Sequence, residues 1–150
     1  MNEIIITNRE TITPKHHEHN QYEYTMHEVS YSQMKTAFYT LSPGKSNYPF
    51  HYHTANEEVF YVISGSGVLE TFEERRPIAA GDVIVCPAVK EGAHKITNTS
   101  ETEDLIYLDV DTHIRPEIVY YPHSKKLGVR ADGIYDNYRL DSGVEYYDGE

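Results

Sequence analysis

The chain has 150 residues and carries 24 Asp plus Glu against 13 Lys plus Arg, a formal charge of −11. Even full protonation of its nine histidines leaves the balance negative, so nucleic acid and acidic membrane surfaces are excluded as natural partners. The length fits one domain, no apolar run reaches the ~18–20 residues of a membrane span, and the start, MNEIIITNRE, lacks the basic and apolar parts of a secretion signal. The single cysteine, Cys86, has no internal disulfide partner, which makes a cytoplasmic location the expectation. Tyrosine occurs 14 times and Trp not at all, a bias that suits strands.

Residues 8–25 are polar without a sustained period and read as an arm or extended loop. The first strand is expected at Met34–Leu41, closed by Ser42-Pro43-Gly44. Phe50–His53 follows as a short strand, then a turn at residues 54–57 and a strand over Glu58–Ile63. Ser64-Gly65-Ser66-Gly67 reverses the chain into Val68–Phe72, and Glu73–Arg76 forms a charged, solvated hairpin tip. Pro77–Ala79 leads to Gly81-Asp82, and Val83–Cys86 is a further strand; Cys86 closes it as a small core residue. A long turn leads to a strand at Ala93–Asn98, and Leu105–Val110 is the last strong one. Residues 111–150 are mixed in character and leave two readings open, a wrap around the body or an added edge strand. Short strands punctuated by Gly and Pro, with no helical period, predict an all-β sandwich or barrel. Glu58–Ile63 and Leu105–Val110 are apolar on both faces, which predicts a covered outer face, supplied by the terminal arms or by a second copy in a homodimer.

His51 and His53 are two apart, so on a strand both imidazoles face one side. Glu58 returns a carboxylate after a turn, and His94 adds a third imidazole. Three imidazoles and one carboxylate suit Zn, Fe, Ni, Mn or Cu with coordination positions left open. Glu57 is the rival carboxylate, and Asn98 is read as a structural turn residue. His16, His17 and His19 read as a solvated stretch, and His27, His113 and His123 as structural. Tyr48, Tyr61, Phe50 and Phe60 are candidates for the cavity lining, with Glu57, Tyr48 or Tyr61 as candidate catalytic groups.

Residues 44–67, GKSNYPFHYHTANEEVFYVISGSG, resemble the first motif of the cupin superfamily: Gly44, His51, His53, Glu58 and Gly65 stand at its positions. Residues 81–98, GDVIVCPAVKEGAHKITN, resemble the second, through Gly81, Pro87, His94 and Asn98. Two departures are a longer spacer between Gly44 and His51, and a longer turn between Pro87 and His94. The resemblance, closest in wording to small uncharacterised bacterial cupins, implies a double-stranded β-helix (jelly-roll) barrel over residues 34–112. An N-terminal arm (1–33) and a C-terminal extension (113–150) packing on the barrel flank it. It also implies that His51, His53, Glu58 and His94 bind one divalent transition metal per chain, Zn, Fe, Ni or Mn. The function expected is that of a metalloenzyme on a small organic molecule, of dioxygenase, isomerase, decarboxylase or lyase type. The alternative is a non-catalytic metal-dependent module that binds or senses a sugar or other small molecule.

Overall fold

The computed structural model describes residues 4–31 and 33–150. Along the chain its strands are β1 (Lys15–His19), β2 (Tyr22–Tyr31), β3 (Met34–Leu41), β4 (Tyr52–His53), β5 (Glu58–Ser64), β6 (Ser66–Glu70) and β7 (Arg75–Ala79). They continue as β8 (Val83–Cys86), β9 (Lys95–Thr97), β10 (Leu105–Thr112), β11 (Glu117–Tyr121), β12 (Lys126–Ala131) and β13 (Ile134–Arg139). The strands named pair antiparallel in three sheets, ordered β1-β2-β3-β10-β5-β8, β13-β12-β11-β4 and β7-β6-β9. This is the expected all-β jelly roll. Among the described residues no helix is long and apolar enough to cross a membrane.

Side-chain alternation builds the core. On β3, Ala37, Tyr39 and Leu41 are buried; on β5, Phe60 and Val62; on β10, Leu105 and Tyr107. Tyr39 and Tyr107 stack at 5.4 Å between ring centres, and Phe60 meets Tyr107 edge-on at 5.7 Å. Each large apolar side chain so buried stabilises the fold by roughly 1.5–3 kcal/mol, and aromatic pairs add about 0.5–1.5 kcal/mol more. Gly65 turns β5 into β6 with φ +81°, and a Cβ there would lie 2.3 Å from the Asp104 carbonyl oxygen. That turn admits only glycine. Asn98, fully buried, donates to the Leu41 and Glu103 carbonyls and accepts from the Ser100 amide, the structural role expected of it.

The stretch 8–25, expected to be an arm or extended loop, instead contains β1 and the first part of β2. Tyr24 and Met26 point inward from β2, opposite Leu41 and Tyr39 of β3, so apolar burial organises a hairpin that its polar neighbours obscure. Only the segment before β1 lies free of the sheets, and it crosses the outer face of β3, where Arg9 donates to Thr40 Oγ1 at 3.0 Å. Residues 1–3 and Ser32 of the expected arm lie outside the described residues. Of the two readings left open for residues 111–150, strand addition is what occurs: β11, β12 and β13 form a meander that joins the body through β4, with Val119 opposite His53. Tyr120 and Tyr121 end β11, and the chain turns over residues 122–125 into β12. On the outer face of the six-stranded sheet, Tyr61 and Ile63 are 46% and 41% exposed, and Val83 and Val85 are each 63% exposed.

Candidate metal centre

Alternation on β5 decides which carboxylate enters the barrel. Glu58 shares the inner face with Phe60 and Val62 and is buried. Glu57, one residue earlier, is exposed and gives its backbone to Thr112. Tyr61 lies on the same outer face. Neither lines the cavity described below, so of the three candidate catalytic groups only Tyr48 stands at the site.

His51 and His94 are brought together by backbone pairing: each donates its amide to the other's carbonyl, at 3.1 and 2.9 Å. The long turn before His94 contains a short 3-10 turn, Lys90–Gly92, which delivers His94 to this bridge. The ring centres of His51 and His94 are 4.8 Å apart, and those of His51 and His53 5.1 Å. Phe60 backs His94 edge-on at 5.3 Å.

Every one of these imidazoles has its Nδ1 tied down. His51 Nδ1 donates to the Pro49 carbonyl at 2.8 Å and His94 Nδ1 to the Gly92 carbonyl at 2.9 Å. His53 Nδ1 donates to Glu117 Oε1 at 2.9 Å. Fixing Nδ1 orients Nε2 inward, as metal-binding histidines require. His53 Nε2 and His94 Nε2 lie 3.5 and 3.4 Å from the two oxygens of Glu58. These separations exceed a charge-assisted hydrogen bond, and ligand atoms of His51, His53 and Glu58 lie within 4.8 Å of one another. Three oriented imidazoles converging on a buried carboxylate fit a divalent transition metal.

The electrostatics follow from burial and neighbours. Burial, reinforced by the adjacent His94, drives His51 down to about 3, so its imidazole is neutral. Burial opposes charge on His53, but the hydrogen bond it donates to Glu117 and the neighbouring Glu58 carboxylate outweigh it and raise His53 to about 10. Burial would raise Glu58; His94 and His53 overcome it and hold the carboxyl below its usual range. Burial lifts the Cys86 thiol to about 12, which keeps it an inert core group.

A cavity of about 400 Å³ opens beside these groups. Tyr48 lines it, its hydroxyl 3.0 Å from that of Tyr39 and its ring edge-on to His51. Two carboxylates that the sequence reading passed over, Asp109 and Asp111, enter from β10, and with Glu58 they bring oxygens within 4.8 Å of one another. Burial, with Asp111 alongside, pushes Asp109 well above the usual carboxylate range; burial also raises Asp111. An oxygen of each is buried without a hydrogen-bond partner among the described residues. Lys35 Nζ stands 3.5 Å from Asp111 Oδ2. A detectable signal existed, since Asp at i and i+2 in the otherwise apolar LIYLDVDT must share the inner face with Tyr107.

Glu117 was also missed, and no local pattern marks it. Besides His53 it accepts the Asn56 amide at 3.1 Å, while the Asn56 side chain binds Ile114 and Thr112 and so clips the β4–β5 turn to the C-terminal segment. Phe50 packs against Phe72 and His123 rather than lining the cavity. His17 stacks on Tyr24 and reaches the cavity wall, whereas His16 contacts Thr25 and His19 contacts Asn20; among the described residues no metal-holding group includes them.

A family model described as "Cupin domain" matches residues 37–111, half of the chain. The fold is similar to that of an Acidithiobacillus ferrooxidans protein whose name proposes a sugar phosphate isomerase. The two are 25% identical over 94% of this chain and 95% of that one, with a TM-score of 0.83. A Silicibacter pomeroyi sugar phosphate isomerase of the cupin superfamily shares the fold at 19% identity, covering 96% and 98%, with a TM-score of 0.83. A Thermotoga maritima protein whose name proposes an oxalate decarboxylase is 28% identical over 73% of this chain and all of that one, with a TM-score of 0.64. No curated protein matches the sequence.

Proposed function

This chain belongs to the cupin family, and from that premise we propose that it is a metal-dependent isomerase of small sugar-like hydroxycarbonyl compounds. His51, His53, Glu58 and His94 would hold the metal, one Zn, Fe, Ni or Mn ion per chain. When bound, such an ion supplies Lewis-acid polarisation of a carbonyl and its neighbouring hydroxyl.

The observation that carries the reading is the Asp109–Asp111 pair in the same cavity as His51, His53 and Glu58. Aldose–ketose isomerisation needs no oxidant. A proton leaves the carbon beside the carbonyl, the C–H electron pair forms the enediol double bond, and the proton returns to the adjacent carbon while a hydroxyl proton crosses between the two oxygens. Asp111, supported by Lys35, takes and returns the carbon-bound proton in this reading. Asp109, buried and held as the acid, exchanges a proton with the substrate oxygen. Tyr48 offers a hydroxyl donor that stays neutral, because burial raises it well above the tyrosine range.

The Acidithiobacillus ferrooxidans relative supports isomerisation over decarboxylation through its coverage. Overlap with 94% of this chain takes in most of the strands after residue 112, whereas the 73% overlap with the Thermotoga maritima protein omits more than a quarter of the chain. A second copy covering Tyr61, Ile63, Val83 and Val85 completes the proposal, and a dimer mass by light scattering is the expected result.

The test is incubation of metal-loaded protein with aldoses, ketoses and their phosphates in D2O. Deuterium entering the carbon next to the carbonyl, together with the isomeric product, is expected. Carbon dioxide release from oxalate, or ligand binding with no exchange into any sugar, would overturn the reading in favour of a decarboxylase or a binding module.

A further inference from the structure

Against a chain charge of −11, the C-terminal meander places two guanidinium groups on one aromatic ring at the cavity rim. Arg130 lies 4.2 Å from the centre of the Tyr135 ring and Arg115 lies 5.9 Å from it, and all three residues line the cavity. Arg130 is held by neutral groups. Its Nη1 donates to the carbonyls of Val129 at 3.1 Å and Asp136 at 2.9 Å, and its Nη2 to Asn137 Oδ1 at 3.1 Å. The Tyr121 hydroxyl is within its reach. Among the described residues no carboxylate forms an ion pair with Arg130: Glu117, its cross-strand partner, is bound to His53 instead.

The backbone makes room for this. Gly128 is buried on the same strand face two residues earlier, and a Cβ there would stand 2.8 Å from Nη2 and 2.9 Å from Nη1 of Arg130. A glycine at that point lets the guanidinium lie down over the strand. Arg130 is opposite Glu117 in the β11–β12 pairing, and β11 pairs in turn with His53 on β4. Two strand spacings, on the order of 10 Å, therefore separate the arginine strand from the metal-ligand strand. A short phosphorylated sugar spans that distance.

We propose that Arg130, backed by Arg115, is the anchor for the phosphate of a small phosphomonoester substrate whose other end lies at the His51–His53–Glu58–His94 group. The inference rests on the isomerase reading for the identity of that other end, and names its substrate class. With both Nη1 hydrogens given to carbonyls and one Nη2 hydrogen to Asn137, Arg130 offers a phosphate its Nε–H and the Nη2–H that faces the Tyr121 hydroxyl. A second guanidinium nearby favours a dianion over a carboxylate.

Calorimetric titration of metal-loaded protein with inorganic phosphate, ribose 5-phosphate, ribose and gluconate tests this. Wild type is expected to bind phosphate and ribose 5-phosphate, with ribose and gluconate much weaker. Arg130→Gln should weaken both phosphate ligands about 10–100-fold with unchanged metal content and a circular dichroism spectrum that shows the fold retained. Gly128→Ala should reproduce the direction of that loss with the arginine still present. Equal phosphate binding by wild type and Arg130→Gln, or tighter binding of gluconate than of phosphate, would overturn the proposal. Failure of the isomerase reading looks different: phosphate binding would remain Arg130-dependent while no sugar exchanged deuterium. Conversely, exchange into ribose with no phosphate dependence would keep the isomerase and remove the anchor.

Discussion

The barrel between residues 37 and 111 and the meander that follows it furnish one cavity by different means. In the barrel, His51, His53 and Glu58 sit within eight positions of one another and are aimed by strand alternation and one tight turn, with His94 joined by a backbone bridge. In the meander, Glu117 reaches His53 across 64 positions, and Arg130 is tied to the His53 strand through two successive strand pairings. The first region supplies the proposed ligands. The second supplies Glu117, which orients one of them, and positive charge at the cavity rim. A motif can therefore mark where chemistry occurs while the substrate-facing wall is built by residues with no motif.

The largest effect should come from the barrel side. Glu58→Gln removes the anionic ligand, and turnover should fall by about a thousandfold or more, read as the rate of isomer formation at saturating metal. Survival of most of the activity would break the division of labour. Next is Glu117→Gln, which leaves the ligand set intact but loosens His53. Metal affinity should fall about 10–100-fold, measured by competition with a chelator, while the circular dichroism spectrum is retained. An unchanged affinity would show that the meander does not reach the metal site.

Legibility divides along the same line. Met34–Leu41 and Val83–Cys86 match their expected bounds because their burial is set by local alternation and by the turns that end them. The ligands were visible for the same reason, since i and i+2 on a strand are neighbours before any tertiary contact forms. The hairpin β1–β2 was obscured because Tyr24 and Met26 are buried amid polar residues whose partners lie across the sheet. Asp109 and Asp111 were readable in principle from their spacing. Glu117 and Arg130 were not, because their roles depend on register between strands that turn chemistry alone does not set.

A pH experiment sharpens the comparison with a smaller effect. In metal-free protein the pKa of His53 rises from 6.5 to about 10 on folding, despite its burial, through Glu117 and Glu58. A raised folded-state value stabilises fully below pH 6.5 and loses that contribution as pH climbs toward 10. The Tm gap between metal-free wild type and Glu117→Gln should therefore be widest at the acidic end of this window and narrow at the basic end. A gap that does not change with pH would contradict the ion-pair account. The smallest effect belongs to the outward-facing residues: Glu57→Gln and Tyr61→Phe should each change turnover by less than about twofold.

Metal content tests the account most directly. Elemental analysis of wild-type protein purified without added metal should find about one transition-metal ion per chain, as a single three-imidazole, one-carboxylate site requires. The His51→Ala/His94→Ala double variant, folded by circular dichroism, should fall to background. Full occupancy in that variant, or folded wild type that takes up no transition metal when one is supplied, would contradict the account.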